Sequence, residues 1–331
     1  MANEVEKFNA VAIADIEKIN TRTDDNIEKL NGLEFAGATP LKGIFGFGAN
    51  AAGNFVGLTN LVNTSGVIAT DVSAVGTARQ DRGAAEYGTG TAIFAFGRGA
   101  GGRVTTRNLV NTSGVVASDA SGAGTARDGL AGCEYGTGTS IFGFGNDGSG
   151  YVGMTNLVNS SGVVASDVSA VGTARETPVA ASYGGDKGIF GLGFIGSSPY
   201  YLGITNLVSN SGVVASDVSA VATGRYLACA AEYGTDKAFF DKGAASGTDG
   251  YVSNLISNSG VVASDVSGVG TNRYSLAATK YGTDTAVEAY GHSGTAVQSV
   301  KNLINNSGTV AADVTGVGTA RQRVAAAAYG T

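Results

Sequence analysis

The chain has no tryptophan, one histidine, two cysteines and three prolines among its 331 residues. Each scarcity excludes something. Three prolines cannot sustain a Gly-X-Y triple helix, abundant as glycine is. Cys133 and Cys229 offer neither a disulfide framework nor the paired spacing of a zinc site, and read as small buried fillers. With His292 alone, in Gly291-His292-Ser293-Gly294, a multi-histidine metal site is impossible and any catalytic triad would rest on one loop residue. Charge is scarce too, at 15% of residues where a soluble domain carries roughly 25%. A net charge of −6 without clustered Lys and Arg argues against a nucleic-acid surface. No run approaches the ~18 apolar residues that span a bilayer, so no membrane span is expected. The first nine residues, with Glu4, Glu6 and Lys7, lack the apolar stretch of a secretory signal.

What is present is glycine, 53 residues, and internal repetition. Asn60, Asn108, Asn156, Asn206, Asn254 and Asn302 each stand eleven positions before an aspartate: Asp71, Asp119, Asp167, Asp217, Asp265 and Asp313. Eight positions after each aspartate comes an arginine, Arg79, Arg127, Arg175, Arg225, Arg273 or Arg321. Eight further on comes a Tyr-Gly pair, at Tyr87, Tyr135, Tyr183, Tyr233, Tyr281 and Tyr329. The aspartates recur at 48, 48, 50, 48 and 48 residues, so the unit is nearly free of insertions. Within it, short β-prone runs alternate with Gly and Asn turn signals, as at Val179 to Tyr183, Lys187 to Gly193, Gly203 to Val208 and Val213 to Val218.

Four short strands per repeat cannot cover their own faces, so neighbours must. The reading is all-β: a six-bladed β-propeller over residues 39–331, with repeats starting near 41, 91, 139, 187, 237 and 285. A β-solenoid is the alternative. The propeller is preferred because the first repeat begins at its second strand, Leu41 to Gly48, and the chain's last residues, Arg321 to Tyr329, supply a first strand. The strand near Val324 to Tyr329 is expected beside Ile44 to Gly48, which removes an open edge.

The order of features resembles Kelch-type propeller repeats: Arg175, a strand to Tyr183, a strand ending at Gly193, two strands around Ser209 to Gly212, then Arg225. The pattern departs from Kelch in lacking tryptophan and in reducing the glycine pair to Phe47-Gly48, Phe96-Gly97 and Phe144-Gly145.

Residues 1–38 are a different material. Twelve charged side chains fall in the first 35 residues. Val5, Phe8, Ile16, Ile19, Ile27 and Leu30 recur at an interval of eleven, which keeps one helix face in phase. A helical attachment arm is expected here, docking through those six residues. The phrases around Glu6 to Asn20 and Asn26 to Phe35 look like leaders on structural proteins of tailed bacteriophages, and the Gly/Ala/Ser/Thr/Val repeats are similar to repeats of such virion proteins. The resemblance implies a tail-fibre, tail-tip or capsid-surface component made in the host cytoplasm. Its implied partners are other virion proteins, further copies of itself and a host glycan or receptor.

Six equivalent Asp/Arg pairs suit loop fastening by guanidinium forks. A glycosidase needs one asymmetric carboxylate pair instead. No enzyme and no cofactor are therefore expected; a glycan hydrolase or lyase and a non-viral repeat scaffold are the alternatives. The loop Asn146 to Gly150 lacks the carboxylates of a calcium site and reads as a turn. Function should lie where the repeats differ. The loop Phe194-Ile-Gly-Ser-Ser-Pro-Tyr-Tyr201 is the most divergent, and Phe194, Tyr200 and Tyr201 are the expected binding residues.

Overall fold

The computed structural model describes residues 40–330 apart from 74–75, 170, 220–221 and 246–249, together with short strands among the first 39 residues. The chain forms two compact units, Met1–Pro40 and Leu41–Thr331. All regular structure among the described residues is β, in small antiparallel sheets.

The first unit corrects the expected helix. Its described elements are two-stranded ladders: Lys7–Phe8 with Val11–Ala12, Lys18–Ile19 with Arg22–Thr23, and Lys29–Leu30 with Leu33–Glu34. A period of eleven keeps successive strand pairs in step as readily as it keeps a helix face. Between Leu30 and Leu33, which pair, the sequence reads Asn-Gly, the dipeptide that favours two-residue hairpins. Val5, Ile16 and Ile27 lie outside the described residues; Phe8, Ile19 and Leu30 fall within the strands.

In the second unit six sheets repeat one plan. A first strand ending in the Tyr of Tyr-Gly pairs with a second, and the second with a third carrying the Asn. Val179–Tyr183, Lys187–Gly191 and Thr205–Val208 are an example, with Ala181 opposite Ile189 and Phe190 opposite Asn206. The fourth segment is weaker than expected. It is a strand only at Val72–Ser73 and Val266–Ser267, and elsewhere makes isolated bridges such as Val208 to Val214. Its outward valines, among them Val115, Val213 and Val261, are exposed, so little burial rewards a longer ladder there.

The sheet that opens the unit is completed from the far end of the chain. Ala325–Tyr329 pairs with Lys42–Gly46 in register, Ala327 opposite Ile44. Each first strand also lies against the first strands of the sheets before and after it, with Gly83–Tyr87 against Ala325–Tyr329.

Between sheets the packing is periodic. The aromatic after one second strand meets the aromatic inside the next: Phe47 with Phe94, Phe96 with Phe142, Phe144 with Phe190, and Tyr290 with Phe45, ring centroids 5.2–5.8 Å apart and edge to face. Such pairs add about 0.5–1.5 kcal/mol to the area they bury. At one joint the pair is ionic instead. There Lys242 and Glu288, both fully buried, hold each other, with Asp241 3.0 Å from Lys242 and Arg273 3.4 Å from Glu288.

Candidate binding site

The recurring polar residues build the scaffold of the site. Each of the six arginines is fully buried and donates from Nη2 to the Asn of the sheet that its strand enters. Five of these bonds measure 2.5–2.8 Å, and Arg273 makes the same bond to Asn302. Each Asn donates from Nδ2 to the Asp of its own sheet at 2.8–2.9 Å. Each Asp accepts from a Thr hydroxyl on the connection arriving from the preceding sheet, Thr125 to Asp167 at 2.7 Å and Thr319 to Asp71 at 2.6 Å among them. Arg79, Arg127, Arg175 and Arg321 lie over Phe47, Phe96, Phe144 and Tyr290 at 3.9–4.8 Å.

Every joint is thus locked by a Thr–Asp–Asn–Arg relay, and Thr319 and Arg321 lock the end of the chain to Asp71 and Asn60. Asn, more than Asp, is the arginine's partner: the carboxylates stand 3.5–3.8 Å from Arg79, Arg127 and Arg321. Burial raises the pKa of all six carboxyls. The Thr and Asn hydrogen bonds and the arginine outweigh it and hold them below the ordinary value. Gly124, at φ +92°, brings the connection this close: a Cβ there would come within 2.5 Å of Asn156 Nδ2 and Asp167 Oδ1.

The residue after each arginine pairs with the loop that follows the second strand. Arg79–Gln80 pairs with Arg98–Gly99, Glu176 bridges Phe194, and Tyr274 bridges His292. This sets the expected aromatic loop on a fixed base. Phe194 exchanges backbone bonds with Glu176, and Ile195 N donates to Tyr200 O at 2.9 Å. Gly196, at φ +63°, allows the loop to lie on Tyr151, whose hydroxyl a Cβ would approach to 2.7 Å.

Phe194, Tyr200 and Tyr201 come together, and they recruit two residues that the sequence reading passed over. Tyr226 stacks on Tyr201 at 5.1 Å and meets Phe194 at 5.6 Å; Tyr151 meets Phe194 edge-on at 5.8 Å. Tyr200 is half exposed, 6.5 Å from Tyr201, and the other four are partly covered. Five aromatics from successive repeats thus make one shelf. The missed signal is positional. The residue after the arginine reads Gln80, Asp128, Glu176, Tyr226, Tyr274 and Gln322; of its two aromatics Tyr226 meets the divergent loop and Tyr274 lies against His292.

One residue further on, all six connections turn through left-handed backbone at Asp81, Gly129, Thr177, Leu227, Ser275 and Arg323, φ +49° to +61°. Gly129 N donates to Asp81 O, Thr177 N to Gly129 O, Ser275 N to Leu227 O and Arg323 N to Ser275 O, at 2.6–2.8 Å. These bonds between neighbouring connections compensate strain of about 1–3 kcal/mol per non-glycine residue. They enclose a cavity of about 90 Å³ lined from all six sheets, in which Arg323 pairs with Asp81 at 2.5 Å. Its rim adjoins the shelf through Glu176–Thr177 and Tyr226–Leu227.

A second cavity of about 50 Å³ lies along the same six first strands. Lys280 reaches Glu232 at 2.9 Å, Glu86 at 3.0 Å and Glu134 at 3.9 Å. Burial and the charge of Glu86 push Glu134 up to about 7, Lys280 opposing. Burial lowers the pKa of Lys280, but the three glutamates outweigh it and hold the ammonium well above its ordinary range. With room for a few waters only, the cluster ties strands of four sheets together around one cation. Its signal is the residue before Tyr-Gly: Glu86, Glu134, Ser182, Glu232, Lys280 and Ala328.

Cys133 and Cys229 are buried free thiols. His292 accepts from Gly294 N at Nδ1 and lies 5.2 Å from Tyr274. Asp147 caps its own loop by accepting from Ser149 and Gly150, and no group of three or more metal-ligating side chains is present among the described residues. No protein-family model matches the chain, and no curated protein matches it in sequence.

Proposed function

We propose that the six sheets are the blades of a closed six-bladed β-propeller, and that the protein is a non-enzymatic structural and adhesion component of a phage particle. The N-terminal unit attaches it, and the propeller offers its aromatic face to a host-surface molecule or a neighbouring virion chain. Closure is supported by the pairing of Ala325–Tyr329 with Lys42–Gly46 and by the relay of Arg321 to Asn60. The particle assignment draws its support from the phage-like phrases of the sequence.

The observation that carries the adhesive role is the shelf of Tyr151, Phe194, Tyr200, Tyr201 and Tyr226, built on a loop two residues longer than most of its equivalents. Aromatic anchors on a rigid base lose little entropy when they bind. The test compares wild type with a Phe194→Ala, Tyr200→Ala, Tyr201→Ala variant. Particle assembly or host adsorption should weaken by well over tenfold while the thermal midpoint hardly moves. A fall in the midpoint alone would make the shelf local packing and end this reading.

A further inference from the structure

Resting on that reading, we infer that the aromatic face binds the terminal pyranose of an uncharged glycan, with the sugar on the shelf and one hydroxyl-bearing edge at the mouth of the six-sheet cavity. The cavity, at about 90 Å³, admits such an edge but not a whole ring. The ring must then lie outside it, where Tyr201, Tyr226 and the half-exposed Tyr200 supply apolar surface for pyranose C–H groups.

Charge balance at the mouth decides the ligand class. Asp81, Arg82 and Arg323 line the cavity, and Asp128, Glu176 and Arg103 lie beside it, three carboxylates and three guanidiniums in all. Two pairs are already made, Arg103 with Asp128 at 2.7 Å and Arg323 with Asp81 at 2.5 Å. Arg82 is buried, gives its Nη atoms to the carbonyls of Arg79 and Gly46, and lies over Phe47 at 4.3 Å. Glu176, half-buried, completes the balance. A balanced set neither attracts an anion nor replaces the hydration of a cation. It does offer donors and acceptors side by side, from Arg323, Thr177, Asp81 and Glu176, which is what vicinal hydroxyls require. An acidic sugar would have to displace Asp81 from Arg323, and an amino sugar Arg323 from Asp81, each at the cost of a pair already made.

The experiment is saturation-transfer NMR and calorimetry on the full chain. The neutral probes are hexamers of α-1,4-glucose, β-1,4-glucose and α-mannose; the charged probes are hexagalacturonate and hexameric chitosan. At least one neutral probe should bind, with saturation reaching its ring C–H protons, and more tightly than both charged probes. Tyr226→Ala and Tyr200→Ala should each weaken it at least fivefold, and Glu176→Gln should do so at an unchanged thermal midpoint. Preference for a charged probe, or no neutral binding at millimolar concentration, overturns the inference. If neutral probes fail while the triple alanine variant still loses adsorption, the adhesive platform stands and its partner is a protein.

Discussion

Truncating Asn60 to alanine tests whether the far end of the chain closes the six-sheet unit, when set beside the same change at Asn206. Both side chains are fully buried; each accepts from an arginine, Arg321 at 2.5 Å or Arg175 at 2.8 Å, and donates to an aspartate. Losing a bond to a charged group costs about 1.5–3 kcal/mol, and an unpaired buried charge about 3–5. Each arginine keeps its Thr carbonyl acceptor and its aromatic face, which places the cost near the lower bound, about 3 kcal/mol. That is two decades in the folding equilibrium, or about 5–10 °C in midpoint for a unit of this size. Denaturant titration followed by far-ultraviolet dichroism and tyrosine emission reads it without tryptophan interference. The two costs should agree within about 1 kcal/mol. If Asn206→Ala costs 3 kcal/mol and Asn60→Ala under 0.5, the ends are not locked together in solution, whatever the other joints do. The relay also sets the acid limit. Its carboxyls have depressed pKa values, so their stabilisation is present above the ordinary aspartate value and is lost as pH falls below it.

Two other perturbations follow from the buried charges. Glu134 has a folded pKa of about 7, above its unfolded value, so its contribution is full below the unfolded pKa and is lost as pH rises through 7. Glu134→Gln should therefore raise stability at pH 8.5, on the order of 2 kcal/mol, and change little at pH 4; equal effects at both pH values would contradict the charge account. Glu288→Ala should cost about 3 kcal/mol by leaving Lys242 with Asp241 alone and removing the carboxylate beside Arg273. The combined Asp241→Gly, Lys242→Phe, Glu288→Phe change rebuilds the aromatic joint of Phe144 with Phe190 and should recover most of that loss, as measured by urea midpoint.

The repeat and its strands were legible because turn chemistry and alternation act within a few residues. The pairing of the last strand with Lys42–Gly46 was legible from the half-repeat offset alone. The relay was legible as spacing and not as chemistry. Asn, Asp and Arg recur in step, but only the fold shows that Asn stands between the other two and that Thr clasps the carboxylate. Tyr151 and Tyr226 escaped notice because they lie far from the divergent loop in sequence, and only the packing of their rings against Phe194 and Tyr201 brings them to it. The arm misled because an eleven-residue period serves two geometries; pairings such as that of Lys29–Leu30 with Leu33–Glu34 distinguish them.

Joints built alike create a problem of order, since each of Phe47, Phe96 and Phe144 could meet the inner Phe of more than one other sheet. The Lys242 joint breaks that equivalence. Lys242 stands where repeats one to three have Phe47, Phe96 and Phe144, and Glu288 where others have Phe94, Phe142 and Phe190. Lys242 set against any of those rings would be a buried cation with only Asp241 to answer it, and Glu288 set against Phe144 would be a buried carboxylate facing an aromatic face. Both mismatches cost several kcal/mol, more than an aromatic pair gains. A buried ion pair adds little over two packed rings in stability. Here it makes one joint acceptable only with its proper neighbour, and once that joint is set the chain's short connections fix the remaining five.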